Sequence, residues 1–328
     1  MKAWQVTRLG EPADVLELAD LAVPAPATGQ VVVRVLASAA NFPDVLMCRG
    51  QYQVRPDLPF TPGVELCGEI VEIGDGVDGL SVGDRVLGGA ALPHGGFGEF
   101  AVMAAAEAFG APESLDDAQA SSLFIGYQTG WFGLHRRANL QPGETLLVHA
   151  AAGGVGSAAI QLGKAAGARV IGVVGGPAKA EIARALGADV VVDRHAQDFV
   201  EVVKAETEGR GADVIYDPVG GETYLRSTKC IAFEGRILLI GFAGGTITET
   251  ALNHALIKNY SIVGLHWGLY NKFAPELVSR CHAELTALAD SGAIAPLVSE
   301  QLALGDIPDG LQRLADGNTV GRVVYQAD

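Results

Sequence analysis

From about residue 140 the chain alternates apolar runs of strand length with stretches in which apolar residues recur every three or four positions. The runs are TLLVHA (145–150), ARVIGVV (168–174), ADVVV (188–192), DVIYD (213–217) and RILLIG (236–241). Between them lie GSAAIQLGKAAG, KAEIARALG, QDFVEVVKAET and GETYLRSTKCI, which read as helices, with Gly167 and Gly187 at C-cap positions. Strands that alternate with helices of this length need crossover connections. The pattern therefore demands βαβ units and a parallel, doubly wound α/β sheet.

The first of these helices opens on a glycine-rich turn, HAAAGGVGSAA, directly after a strand. Aligned on G-x-G-x-x-G it reads Ala151-Ala152-Gly153-Gly154-Val155-Gly156, with alanine at the first glycine. In such a turn Gly153 lets the backbone approach a pyrophosphate, the N–H groups around Gly154 and Val155 face it, and Gly156 allows the helix to pack closely. This is the dinucleotide fingerprint in the context it requires. A carboxylate that binds the adenosine ribose is expected at the end of the next strand. Here that strand ends Val173-Val174-Gly175-Gly176-Pro177, without one. Lys179 and Arg194 follow and offer two cations to a 2′-phosphate, so NADPH is favoured over NADH, with Gly175 opening the space.

The first 120 residues have another texture. Short β-rich runs (QVVVRVLA, CGEIVEIG, DRVLGG) are joined by Pro- and Gly-containing loops, as in an irregular barrel. After about 265 come a helix (274–290), a second near 306–316 and a last strand, GRVVYQ. The simplest organisation is a dinucleotide domain, 123–264, inserted in a β-rich domain made of 1–122 and 265–328.

A length of 328 residues suits about two domains, and 49% hydrophobic against 19% charged residues gives both a core. The net charge of −15 and the lack of basic runs argue against nucleic acid or anionic membrane as partners. The N-terminus MKAWQVTRLGEPAD has no apolar signal stretch, and Thr145–Gly163, though uncharged, is broken by GGVG and polar residues. A cytoplasmic location is the expectation. Cys48, Cys67, Cys230 and Cys281 are too far apart for a CxxC motif and read as buried, reduced thiols.

NFPDVLMCRGQY (41–52), PFTPGVELCGEIVEIG (59–74), GDRV (83–86), GGFGEFAV (95–102), HAAAGGVG (149–156), YDPVGG (216–221) and GRVV (321–324) together resemble the medium-chain dehydrogenase/reductases. The branch resembled is that of the zinc-independent, zeta-crystallin-like NADPH:quinone oxidoreductases, and the likeness runs over nearly the whole chain. It implies a Rossmann domain inserted in a GroES-like barrel domain and a homodimer, and NADPH is expected in the cleft between the inserted and the β-rich domain, beyond the C-terminal ends of the parallel strands.

Zinc-using members place a first cysteine where this chain reads Ala39-Ala40-Asn41-Phe42-Pro43-Asp44, and Gly-His-Glu where it reads Gly63-Val64-Glu65. Neither catalytic nor structural zinc is expected, and Glu65 is left to a hydrogen-bonding role within the fold. Without a metal to polarise an alcohol, hydride delivery to an already electrophilic acceptor is the chemistry favoured: a quinone, or another α,β-unsaturated carbonyl. An acryloyl- or enoyl-CoA or enal reductase is the alternative. A non-catalytic, crystallin-like NADPH-binding protein is the alternative of another class.

By the resemblance, Asn41 lines the nicotinamide end and donates a hydrogen bond to the acceptor oxygen, while Asp44 braces the loop beside the cofactor. Tyr52 stands where enoyl-thioester reductases have a proton donor, or else forms a wall of the pocket. Thr129 reaches the nicotinamide carboxamide, to which Gly241, Phe242 and Ala243 present backbone groups. Asn318 and Arg322 approach the cofactor from the C-terminal side, Arg322 alternatively as a surface ion pair. His266 and Trp267 line the acceptor slot or pack. His149 packs or hydrogen-bonds beneath the glycine turn.

Overall fold

The structure, a computed structural model, describes residues 1–247 and 249–327. The chain forms two compact units, one of Met1–Ile125 together with the segment from His282 onward, the other of Gly126–Cys281. The first boundary falls inside the helix Phe124–Trp131. The return to the first unit comes at His282 and not at 265, because the intervening segment packs on the second unit. Tyr270 stacks on Phe132 with ring centroids 4.1 Å apart, and Leu265 N–H donates to Leu239 O at 3.1 Å.

In chain order the strands are β1 (Lys2–Val6), β2 (Leu16–Asp20), β3 (Gln30–Ala39), β4 (Glu65–Ile73), β5 (Arg85–Ala90), β6 (Phe100–Gly110) and β7 (Thr145–Val148). They continue with β8 (Arg169–Val174), β9 (Val190–Asp193), β10 (Ala212–Asp217), β11 (Ile231–Leu239), β12 (Ser261–Gly264), β13 (Val298–Leu302) and β14 (Arg322–Gln326).

The second unit holds a six-stranded sheet in the order β12-β11-β10-β7-β8-β9, and every pair in it is parallel. Its strands are near-continuous apolar runs because helices cover both faces. Leu147, Ile171, Ile215 and Ile237 project from four adjacent strands into a core closed by Phe199, Val203 and Tyr224 of the helices. Each such side chain contributes roughly 1.5–3 kcal/mol of apolar transfer. Strand order reverses at β7 and β10, so the crevice beyond their C-terminal ends is where an α/β sheet of this kind takes its ligand. Gly167 (φ 78°) and Gly187 (φ 102°) end their helices in the left-handed conformation, as their positions suggested.

In the first unit β3, β4, β5 and β6 form an antiparallel ribbon that closes on itself through a β3–β6 pairing. Val31, Val33, Val35, Leu66, Ile70 and Met103 fill it. The C-terminal β14 adds antiparallel to β3, with β13 parallel beyond it. This register has a direct consequence for the site. Ala39 at the end of β3 lies opposite both Glu65 and Val324, and Ala40 N–H donates to Val323 O at 2.9 Å. The sheet thus gathers the loop at Asn41, the start of β4 and the start of β14 at one end.

Candidate functional site

At that end of the first unit lies a buried polar junction. Glu65 is fully buried, Asn41 is 3% exposed and Arg322 is 5% exposed. Glu65 Oε1 accepts from the Ile125 N–H at 2.6 Å, and Oε2 accepts from Asn41 Nδ2 at 2.9 Å and from the Arg322 guanidinium. Asn41 Nδ2 also donates to Ala39 O at 3.0 Å, while its Oδ1 accepts from Arg322 Nη1 at 2.9 Å. Burial pushes the Glu65 carboxyl up, against the pull of Arg322 and the N–H donors. Every group facing it is a donor, so the ionised carboxylate is the form the junction is built around.

Two expectations change here. Both hydrogens of Asn41 Nδ2 are committed, so Asn41 shapes the junction and has no donor left for an acceptor oxygen. Arg322 is no surface ion pair; it is the buried counter-ion of Glu65. The junction also does not fit zinc. A guanidinium is bound to the one carboxylate, the neighbouring positions are an amide and Val64, and no cluster of three His, Cys, Asp or Glu occurs among the described residues.

Asp44 closes the same loop. Its Oδ2 accepts from the Asn41 N–H at 2.9 Å and its Oδ1 from the N–H groups of Gly63 (2.9 Å) and Val64 (3.1 Å). It is a brace, with its acceptors turned to backbone and not to a cofactor. Burial pushes its carboxyl up from 3.8 to about 6 despite these donors. The native state therefore holds this proton more tightly than the unfolded chain. Its contribution to stability is present below about pH 4 and is lost, by up to about 3 kcal/mol, as pH rises through 6. Subtracting the urea stability of Asp44→Asn from that of wild type across pH 4–7 isolates this slope; a flat difference would exclude it. Tyr52 is half-buried against the core of this unit, and burial together with Asp44 keeps its phenol protonated.

In the second unit the fingerprint turn leaves β7 and opens the helix Gly154–Ala165, with Gly153 as its N-cap in extended conformation. Ala150 takes a left-handed φ of 49°, and its carbonyl accepts from the Gly153 N–H at 2.8 Å. A methyl group on Gly156 would lie 2.2 Å from that same carbonyl oxygen, so the helix is seated directly on the turn. Gly153, Gly154 and Val155 remain partly exposed, as a ligand-facing turn requires. At the end of β8 the guanidinium of Arg194 lies over Gly175, where a side chain would come within 3.2 Å of its Nε. His195, which the sequence reading passed over, borders the same glycine. Asp193, at the end of β9, accepts from the N–H groups of Gly176 (2.9 Å) and His195 (3.0 Å).

Thr129 is almost buried, on the helix Phe124–Trp131. Of the loop after β11, the Ala243 N–H donates to Pro218 O, in the loop after β10, so that donor is not offered to a carboxamide, while the Phe242 carbonyl accepts from the Gly245 N–H and keeps a second lone pair. Asn318 sits on an exposed turn of the first unit, away from the junction's hydrogen bonds, and His266 is exposed in the second. His149 is buried against Phe199, its Nε2 2.8 Å from Ser227 Oγ, and burial pushes it down to about 3, so it is neutral. The thiols of Cys48, Cys67 and Cys230 are pushed up to about 12 by burial and are unreactive. Glu65 has the hydrogen-bonding role within the fold that the sequence suggested, but its partners Asn41, Ile125 and Arg322 were not readable there. The one signal was an acid at the head of one strand and an arginine at the head of another.

The family descriptions "Alcohol dehydrogenase GroES-like domain" and "Zinc-binding dehydrogenase" match residues 27–113 and 154–283. A quinone oxidoreductase-like protein 2 homolog of Nematostella vectensis is 40% identical over 299 residues, 90% of this chain and 81% of that protein. The crystal structure of Escherichia coli quinone oxidoreductase complexed with NADPH superposes with a TM-score of 0.91 at 30% identity, covering 99% of this chain and 100% of the other. CurK enoyl reductase superposes with a TM-score of 0.89 at 26% identity, covering 100% and 99%. On this likeness, which spans both units, the chain belongs to the medium-chain dehydrogenase/reductase superfamily, in its quinone oxidoreductase branch.

Proposed function

We propose that this chain is an NADPH-dependent reductase that delivers hydride to a conjugated carbonyl acceptor, a quinone in the first instance, without a metal. The observation that carries the reading is the end of β8. Two glycines stand where a ribose-binding carboxylate would be, and Arg194 lies across the first of them. The residues fit the cofactor: the fingerprint turn offers N–H groups at a helix N-terminus, and Lys179 with Arg194 gives a 2′-phosphate two cations. NADPH, when bound, supplies the hydride. The protein's own work is to hold the carboxamide end through Thr129 and to keep the acceptor oriented. A quinone takes its protons from water, whereas an enal or enoyl thioester needs a proton at carbon, for which the protonated Tyr52 phenol is the candidate.

One panel tests the reading: NADPH oxidation by 1,4-benzoquinone, 9,10-phenanthrenequinone, crotonaldehyde and acryloyl-CoA. Lys179→Ala and Arg194→Ala are expected each to raise KM for NADPH about tenfold, with KM for NADH unchanged. Equal losses for both cofactors would defeat the phosphate assignment. Tyr52→Phe is expected to spare the quinones; loss confined to the enal and thioester favours the enoyl-reductase reading, which the CurK likeness supports. NADPH binding with no turnover on any acceptor would leave a non-catalytic binding protein.

We also infer a homodimer. β12 is an edge strand with one side unpaired, and Phe233, Leu252, Leu256 and Ile257 beside it are each at least 70% exposed. A second copy related by a two-fold axis would pair this edge with itself and cover the apolar face. Light scattering should give the mass of two chains, and Leu256→Asp the mass of one. A wild-type monomer at micromolar concentration would refute it. No helix among the described residues is long and apolar enough to cross a membrane.

A further inference from the structure

Strand β9 ends on Asp193, and the two residues after it lie against the end of β8. The Arg194 N–H donates to the carbonyl of Val174, the last residue of β8, at 2.9 Å. Asp193 Oδ1 accepts from the Gly176 N–H at 2.9 Å and from the His195 N–H at 3.0 Å, so one carboxylate oxygen clamps both loops. The side chains of Arg194 and His195 then converge on the same glycine. A Cβ built on Gly175 would lie 3.2 Å from Arg194 Nε and 3.4 Å from His195 Cε1, the ring carbon between the two nitrogens. Both side chains are exposed and open to a ligand.

The clamp carries an electrostatic penalty. The His195 and Gly176 N–H groups hold the Asp193 carboxyl below the usual carboxylate range, so it is ionised across the neutral range and repels a phosphate placed beside it. His195 Nδ1 stands 3.9 Å from Asp193 Oδ1, too far for a hydrogen bond but near enough for a protonated ring to offset that charge. Arg194 is its neighbour on the same loop, and the helix Pro177–Ala185 brings Lys179 in its first turn. Asp198, which caps the next helix, is bound by the Arg226 guanidinium. Among these side-chain types, histidine is the one that takes up a proton between about pH 5 and 8.

We propose that His195 is a specificity-determining residue for the phosphorylated cofactor: as an imidazolium it offsets Asp193 and contacts the 2′-phosphate, so the preference for NADPH over NADH strengthens as pH falls. The proposal rests on the reading that the 2′-phosphate lies at the end of β8, beside Gly175.

The test is calorimetric titration of wild type, His195→Gln and His195→Lys with 2′,5′-ADP, 5′-AMP, NADPH and NADH, from about pH 6 to about pH 8.5. The 2′-phosphate itself gains a proton toward the acid end in every variant alike, so the ratio of variant to wild-type Kd at each pH removes that titration. For His195→Gln the ratio is expected to be about tenfold for 2′,5′-ADP and NADPH at the acid end and within about twofold at the alkaline end. For 5′-AMP and NADH it should be flat. His195→Lys supplies a permanent cation and should bind NADPH more tightly than wild type at alkaline pH. A ratio for NADPH that does not change with pH, or that changes equally for NADH, overturns the role of His195. Arg194→Ala separates this outcome from failure of the reading beneath it. If Arg194→Ala weakens NADPH and NADH alike, the phosphate assignment falls, and the inference with it. If it weakens NADPH alone while His195→Gln is flat with pH, only the role of His195 falls.

Discussion

Arg322→Leu is expected to cost about 3–5 kcal/mol of folding stability, the usual penalty for stranding one member of a buried ion pair. The reason is asymmetry. Arg322 is 5% exposed and Glu65 fully buried, so removing the guanidinium leaves a carboxylate that water cannot reach and only neutral N–H groups to hold it. That carboxylate must then take up a proton or unfold the end of the sheet. Glu65→Leu/Arg322→Leu removes both charges and is expected to recover more than half of the loss, although the Ile125 N–H and the Asn41 amide each lose a partner. Urea unfolding of wild type, both single variants and the double variant closes the cycle. A single variant that costs less than about 1 kcal/mol would mean the pair behaves as a solvent-screened surface contact.

The other large effect is expected at the fingerprint turn. Gly156→Ala places a methyl group 2.2 Å from Ala150 O and 2.8 Å from Ala150 C, both backbone atoms of a residue already in the left-handed region. Neither can yield as a flexible side chain would, so the helix Gly154–Ala165 must lift off the turn. NADPH affinity should fall by about 100-fold or more as its N–H groups leave their places, at a stability cost of about 1–3 kcal/mol for the overpacking. Gly153→Ala is the control, since its methyl group would lie 3.2 Å from the same oxygen and asks for a shift of only a few tenths of an ångström. Fluorescence titration of NADPH and thermal melts separate the two. Equal affinities for both variants would show that the close seat of Gly156 is irrelevant to binding.

The inserted sheet was legible because buried parallel strands are written as apolar runs and their connecting helices carry a different period. Gly167 and Gly187 were readable for a local reason, a left-handed cap that few other residues adopt. What stayed hidden is what depends on pairing across long sequence distances. Glu65 and Arg322 are 257 residues apart, and only the register of β3 with both β4 and β14 brings them together. The same register commits the Asn41 amide, which in sequence reads as a free donor in an N-x-x-D turn. The second boundary was misplaced because it falls inside the helix Pro275–Asp290, and the attachment of 265–281 to the second unit rests on contacts such as Tyr270 on Phe132. The π-helical turn Phe132–Arg137 that prolongs the helix of Thr129 also has no signature in the pattern of apolar residues.

Strand β14 has a bearing on synthesis. It is the last strand among the described residues, yet it pairs with β3, near their beginning. The ribosome releases Arg322 only after all of Gly126–Cys281 has emerged, so the continuous second unit is expected to fold while the first still waits for its final strand. Until then Glu65 is without the Arg322 guanidinium that pairs with its carboxylate in the folded unit. A transcript truncated before Arg322 would thus yield a chain with a finished inserted unit and a host that never closes, a substrate for proteolytic quality control.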